Sequence, residues 1–183
     1  MQYLISIYFD ERMNKAFRGY IEKVAYRSGN AYMTDHQVTA HITVTAFEAE
    51  DEEEVIAAVE RCVAKLQCGT IQWVSVGALP NGVLYIAPVL NEYLHRMSEV
   101  FYNEIKALEG VRMNRFYQPF QWLPHTTIAK KLTSQEMVEG FDVLRSEFVC
   151  REGKAVRIGL ATKNPYKEID EWSLCRGNMG VSK

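Results

Sequence analysis

Two tetrapeptides carry residues suited to acid–base chemistry, His41-Ile42-Thr43-Val44 and His125-Thr126-Thr127-Ile128. Both read His-x-Thr-hydrophobic. In a strand, positions i and i+2 share a face, so His41 and Thr43 project together, as do His125 and Thr127. Two imidazoles across one cleft suit proton transfer at the two ends of a single bond. One accepts a proton from the attacking oxygen and the other donates to the leaving oxygen. Histidine titrates near neutrality and fills either role without a large pKa shift. Each threonine hydroxyl can donate to a non-bridging phosphate oxygen and stabilise charge that builds there. With 4 histidines in the chain, two His-x-Thr pairs arise by chance in about 1.5% of shuffled sequences, and requiring a hydrophobic residue after each lowers this below about half a percent.

The two motifs stand 84 positions apart, and other features follow the same offset. A helical pattern at 51–66 lands on 135–150. The turn Pro80-Asn81-Gly82 lands on Asn164-Pro165-Tyr166. The pattern at 11–27 lands on 95–111. These coincidences predict two copies of a strand–helix unit, related by a pseudo-two-fold axis and packed as one bilobal domain spanning 1–183. Both His-Thr pairs would then look into one shared cleft.

The elements that must hold them follow from hydrophobic period and punctuation. Strands are expected at 3–9, 39–47, 70–79, 83–89 and 126–130, with a final hairpin of 155–162 and 168–175. Helices are expected at 10–27, 50–66, 91–108 and 133–148. Alternating strands and helices with tight hairpins give an α+β class. The acidic run Asp51-Glu52-Glu53-Glu54 complements a helix N-terminus. Strict alternation puts Ala40, Ile42, Val44 and Ala46 on the core side, and Thr39 and Thr45 beside His41 and Thr43. In the second copy it puts Leu123 and Lys131 beside His125 and Thr127, which makes Lys131 a candidate phosphate contact if the strand reaches it.

The stretch 110–122 is aromatic and basic and leads into the second motif. Arg112 or Arg115 could pair with a phosphate, and Tyr117 or Trp122 could stack a base. Tyr8 and Trp73 could also line the cleft. His36, in Asp35-His36, has no third ligand at a spacing that reads as a metal site. His95 lies within a helical pattern, at the surface or its boundary. No nucleophile elbow, Walker or Rossmann glycine pattern occurs.

These paired motifs, on strands and each followed by its own helix, resemble the 2H phosphoesterases, a family named for two His-x-Thr/Ser-x motifs. That family includes the RNA 2′,3′-cyclic phosphodiesterase / 2′-5′ RNA ligase group, and the resemblance covers essentially the whole chain. It implies a bilobal α+β fold with antiparallel sheets around a central cleft. It also implies metal-independent hydrolysis of a cyclic or 2′/3′-linked phosphodiester of a nucleotide, a cyclic oligonucleotide or an RNA end, with no cofactor. His41 and His125 would be the acid–base pair, and Thr43 and Thr127 the phosphate-oxygen donors. Two alternatives stand beside it: 2′-5′ ligation of RNA ends, and a non-catalytic nucleotide- or RNA-binding module.

Composition bounds the partners. The chain has 183 residues, 48% of them hydrophobic and 24% charged, and a net charge of −2. Disorder is excluded, and long duplex DNA is disfavoured for want of a basic excess. No apolar run reaches the roughly 18 residues of a membrane span, and the N-terminus lacks the basic region of a signal peptide. The four cysteines, Cys62, Cys68, Cys150 and Cys175, form no CxxC pair and are expected as reduced, mostly buried thiols. A cytoplasmic monomer acting on a small or short anionic substrate is the resulting expectation.

Overall fold

In the computed structural model, which describes residues 1–175, capping residues fix where each long helix begins. Asp10 accepts the Met13 N–H at 3.0 Å and opens α1, Glu11–Ser28, which Gly29 closes at φ 74°. The spacing of Met13, Phe17, Tyr20, Ile21 and Val24 puts all five on the buried face. The one-turn helix α2, Tyr32–Asp35, follows without a signal in the sequence pattern. Asp51 caps α3, Glu52–Ala64, and Asn91 caps α4, Glu92–Lys106. A complete capping box between Thr133 and Glu136 opens α5, Ser134–Glu147.

The strands are β1 Gln2–Phe9, β2 His41–Glu48, β3 Gly69–Leu79 and β4 Val83–Pro88. They continue with β5 Arg112–Met113, β6 Thr126–Ala129, β7 Arg151–Lys163 and β8 Tyr166–Ser173. A 3₁₀ turn, Arg115–Tyr117, follows β5. Every pairing is antiparallel, in the order β1-β2-β6-β4-β3-β7-β8, with β7 also pairing back to β1. The hydrogen-bonded neighbours therefore form a closed circuit. The long strand β7 completes it: Arg151 to Ala155 pairs with β3, and Ala155 to Thr162 with β1. Opposite β7, β2 meets β6 through one residue pair, Ile42 with Thr126. The fold is thus mixed α+β with antiparallel sheet, as expected.

Helices α3 and α4 pack together and contact β2, β3, β7 and β8, while α1 and α5 pack together against β3, β4, β6 and β7. Tyr3, Ile5, Ile7 and Phe9 point from β1 into this core, leaving Leu4, Ser6 and Tyr8 on the other face. Trp73 is fully buried, with its ring 4.8 Å from Phe9 and 5.1 Å from Phe17. It is a core residue, not a lining of the cleft. No helix among the described residues is long and apolar enough to cross a membrane.

Two expectations need correcting. The register of β2 against β1 jumps from Ser6–Thr43 to Ile5–Thr45, so Val44 is the extra residue of a β-bulge. A bulge shifts parity by one. Thr45 therefore faces the core, fully buried, and Ala46 shares the outer face with Thr43, the reverse of strict alternation. The cysteines are not mostly buried: Cys62 is, but Cys68, Cys150 and Cys175 are exposed. Those three lie just outside β3, β7 and β8, where chain ends meet solvent.

Candidate active site

Antiparallel pairing of Ile42 with Thr126 dictates what lies on either side of them. His41 stands across from Thr127, and Thr43 across from His125. Ile42 and Thr126 are fully buried, so the four flanking side chains share the opposite, partly exposed face. Each imidazole thus neighbours the hydroxyl of the other motif.

The two rings are held in the same way. The His41 Nδ1–H donates to the Thr39 carbonyl at 2.7 Å, and the His125 Nδ1–H donates to the Leu123 carbonyl at 2.9 Å. A carbonyl can only accept, so each Nδ1 carries the proton and each Nε2 is left to exchange one. Burial pushes the His41 imidazole below its ordinary pKa, and the positive charges of Lys130 and His125 act in the same direction. The hydrogen bond to Thr39 opposes this.

Tryptophans brace both motif strands. The Trp73 indole N–H donates to the Thr126 hydroxyl at 3.1 Å inside the core, and the Trp122 indole N–H donates to the Thr43 carbonyl at 3.0 Å. Trp122 is 5% exposed. Its ring supports β2 and is not a free stacking surface, contrary to the expectation from its aromatic loop.

A tyrosine lies beside each histidine. The ring of Tyr8 is 5.9 Å from that of His41, and the ring of Tyr85 is 5.3 Å from that of His125. Each tyrosine lies over a glycine of the next strand. Tyr8 covers Gly159 of β7 and Tyr85 covers Gly77 of β3, where a Cβ would collide with the ring. Burial pushes the Tyr8 phenol well above the usual tyrosine range, as do its contact with Tyr166 and the charges of Glu168 and Glu171. The phenol stays a neutral donor at working pH. The Arg157 guanidinium lies 5.4 Å from the Tyr8 ring centroid and is 2.6 Å from Glu171.

The remaining candidates separate. β6 ends at Ala129, and Lys131 adopts φ 61° with its ammonium 4.4 Å over the Tyr32 ring. The lysine whose charge reaches His41 is Lys130. Tyr117 is half-buried in the 3₁₀ turn, packed against the core. Arg115 is exposed, and its guanidinium lies 4.8 Å from the Phe116 ring centroid. His36 stacks on Tyr32 and bonds to the Tyr32 carbonyl. Sequence reasoning missed Tyr85, Lys130, Arg157 and Tyr166. Only strand register brings Tyr85 to Thr127.

The sequence matches the 2′-5′ RNA ligase superfamily over residues 15–158. Among solved structures, TT0787 of Thermus thermophilus superposes with a TM-score of 0.66 at 16% identity, over 97% of this chain and 100% of that one. A crystal structure described as a phosphoesterase gives 0.61 at 13% identity, over 96% and 98%. E. coli LigT complexed with NADP+ gives 0.56 at 11% identity, over the same shares, 96% and 98%. Among curated proteins, none matches the chain by sequence. At these identities the structural likeness establishes the fold, and the family match goes further: the chain belongs to the 2′-5′ RNA ligase superfamily and, with these neighbours, to the 2H phosphoesterases.

Proposed function

We propose that the chain is a metal-independent phosphodiesterase that hydrolyses a cyclic or 2′/3′-linked phosphodiester of a nucleotide, a cyclic oligonucleotide or an RNA end. The observation that carries this reading is the crossed arrangement set by the Ile42–Thr126 pair, with two imidazoles and two hydroxyls on one face. Membership of a phosphoesterase family supports the reaction class. Water attacks phosphorus while one histidine Nε2 takes its proton. The bond from phosphorus to the ribose oxygen breaks, and the other histidine protonates that oxygen, leaving a phosphomonoester. The Thr43 and Thr127 hydroxyls donate to the non-bridging oxygens as their charge grows.

The environment of His41 favours its neutral form, which suits the base, and leaves the acid role to His125. Tyr8 and Tyr85 are the aromatic walls nearest the reacting phosphate, and Lys130 adds positive potential there. The test is a panel of 2′,3′-cyclic nucleotides, cyclic di- and trinucleotides and 2′-5′ oligoadenylate, incubated with EDTA. Turnover by the wild type and its loss in His41→Ala and in His125→Ala are expected. Turnover that chelation abolishes would overturn the metal-free mechanism. Binding without any turnover would favour a non-catalytic module.

A further inference from the structure

The face that carries His41 does not end at the catalytic residues. Register places Tyr8 beside His41, Ser6 beside Thr43, Leu4 beside Ala46 and Gln2 beside Glu48. The bulge at Val44 keeps all of these on one face. At the far end lies a pocket of about 320 Å³. Its lining includes Leu4, Ala46, Glu48, Arg112, Arg115 and Lys163. From Tyr8 to Leu4 is four residues, roughly 14 Å at the rise of an extended strand. The side chains between them on this face, Ser6 and Thr43, are small.

The charges of this pocket are unequal in kind. Arg112 is bound to Glu48, which also accepts from Gln2, so that cation is neutralised. Neither Arg115 nor Lys163 has a carboxylate partner among the described residues. Beside Arg115, the Phe116 ring is 64% exposed. Over that ring lies the Arg115 guanidinium, 4.8 Å from its centroid, so what this pocket offers an anion is two cations that no carboxylate holds, a combination that can bind a phosphate. On the opposite edge of the same face Glu168 of β8 stands opposite Ala161, while Glu171, opposite Gly159, is paired with Arg157. An anion is therefore favoured at Arg115 and Lys163 rather than beside Glu168.

We propose that this pocket is a second subsite, which takes a backbone phosphate of a single-stranded oligonucleotide whose reacting phosphate lies between His41 and His125. The inference rests on the phosphodiesterase reading above and narrows its substrate. A mononucleotide occupies only the catalytic end, whereas an oligomer reaches both. The site accounts for how a chain of net charge −2 engages a polyanion: the positive charge that matters is local.

The experiment compares adenosine 2′,3′-cyclic phosphate with a single-stranded hexaribonucleotide ending in a 2′,3′-cyclic phosphate. Wild type is set beside Arg115→Glu, Lys163→Glu and the double variant, with thermal midpoints measured to establish folding. Fluorescence anisotropy of a labelled hexaribonucleotide reads binding separately from turnover. The wild type is expected to prefer the hexamer, and the double variant to lose about tenfold or more of that preference, chiefly in KM. Its hexamer affinity should fall in parallel and depend less on salt. Equal effects on both substrates, or no preference in the wild type, overturn the subsite while leaving the phosphodiesterase reading intact. A wild type that turns over neither substrate but binds the hexamer through Arg115 and Lys163 keeps the subsite and overturns the chemistry. Hexamer affinity that is unchanged in the double variant overturns the subsite in every case.

Discussion

Ile42 and Thr126 are cross-strand partners at the only point where β2 meets β6 among the described residues, and both are fully buried. Being inward and paired, they force their four motif neighbours outward and together. The pair does no chemistry, yet it sets the register of the site. It also crosses the motifs, so that each histidine stands across the strands from the threonine of the other motif.

Crossing has a measurable consequence. Thr43→Val and Thr127→Val keep the shape of the side chain and remove the hydroxyl. Each is expected to lower kcat by about 100-fold with little change in thermal midpoint, since an oxygen-stabilising donor acts mainly in the transition state. Steady-state kinetics on a 2′,3′-cyclic nucleotide would check this. A change confined to KM would show the hydroxyls to be ground-state contacts.

The lowered pKa of His41 makes stability depend on pH. As pH falls through about 6.5, the unfolded chain binds a proton at this site more readily than the folded chain. Stability contributed by the site is therefore lost on acidification and flat above that pH. His41→Asn removes the penalty, so the variant should gain on the wild type between pH 8 and pH 5 in urea titrations. An equal difference at both pH values would refute it.

Gly159 leaves the space that the Tyr8 ring occupies beside His41. Gly159→Ala is expected to cost about 1–3 kcal/mol through overpacking and to lower activity by displacing the ring. Tyr8→Ala should cost less stability in the Gly159→Ala background than in the wild type, and it should not restore activity. A double-mutant cycle by thermal denaturation measures the coupling, and additivity would show that the two residues do not press on each other.

Trp73→Phe leaves the buried Thr126 hydroxyl without its donor. The expected loss is about 1–3 kcal/mol in denaturant unfolding, with activity falling as well because Thr126 sets the register of β6. A variant that loses stability and retains full turnover would separate the core from the site.

Thiol titration checks the cysteine environments. Cys68, Cys150 and Cys175 should react with a disulfide reagent in the native protein. Cys62 should react only on unfolding, since burial pushes its thiol up to about 12.

The sequence is most legible where one residue type does one local job. Asp10, Gly29, Asn91 and Thr133 mark helix ends through backbone hydrogen bonds a few residues away. The His-x-Thr pairs are legible because strand parity fixes their facing within three residues. Properties that depend on partners are not. Val44 looks like any apolar strand residue, and its bulge exists only against β1. Trp122 has the composition of a base-stacking residue, but the carbonyl of Thr43 claims its N–H. Lys131 lies beyond the end of β6 with a left-handed backbone, so strand parity does not fix its facing. Tyr85 carries no motif, and only the pairing of β4 with β6 reveals it.

The closed circuit of strands gives the cleft the mechanics of a pair of calipers. β7 is the spine, joined to one arm along β1 and to the other along β3. The two tips are His41 and His125, and between the arms β2 and β6 share one backbone pair, Ile42 with Thr126, reinforced by the Trp122 N–H on the Thr43 carbonyl. Each imidazole thus takes its aim from a carbonyl on its own arm, while the spacing between the two depends on how the arms are held to each other.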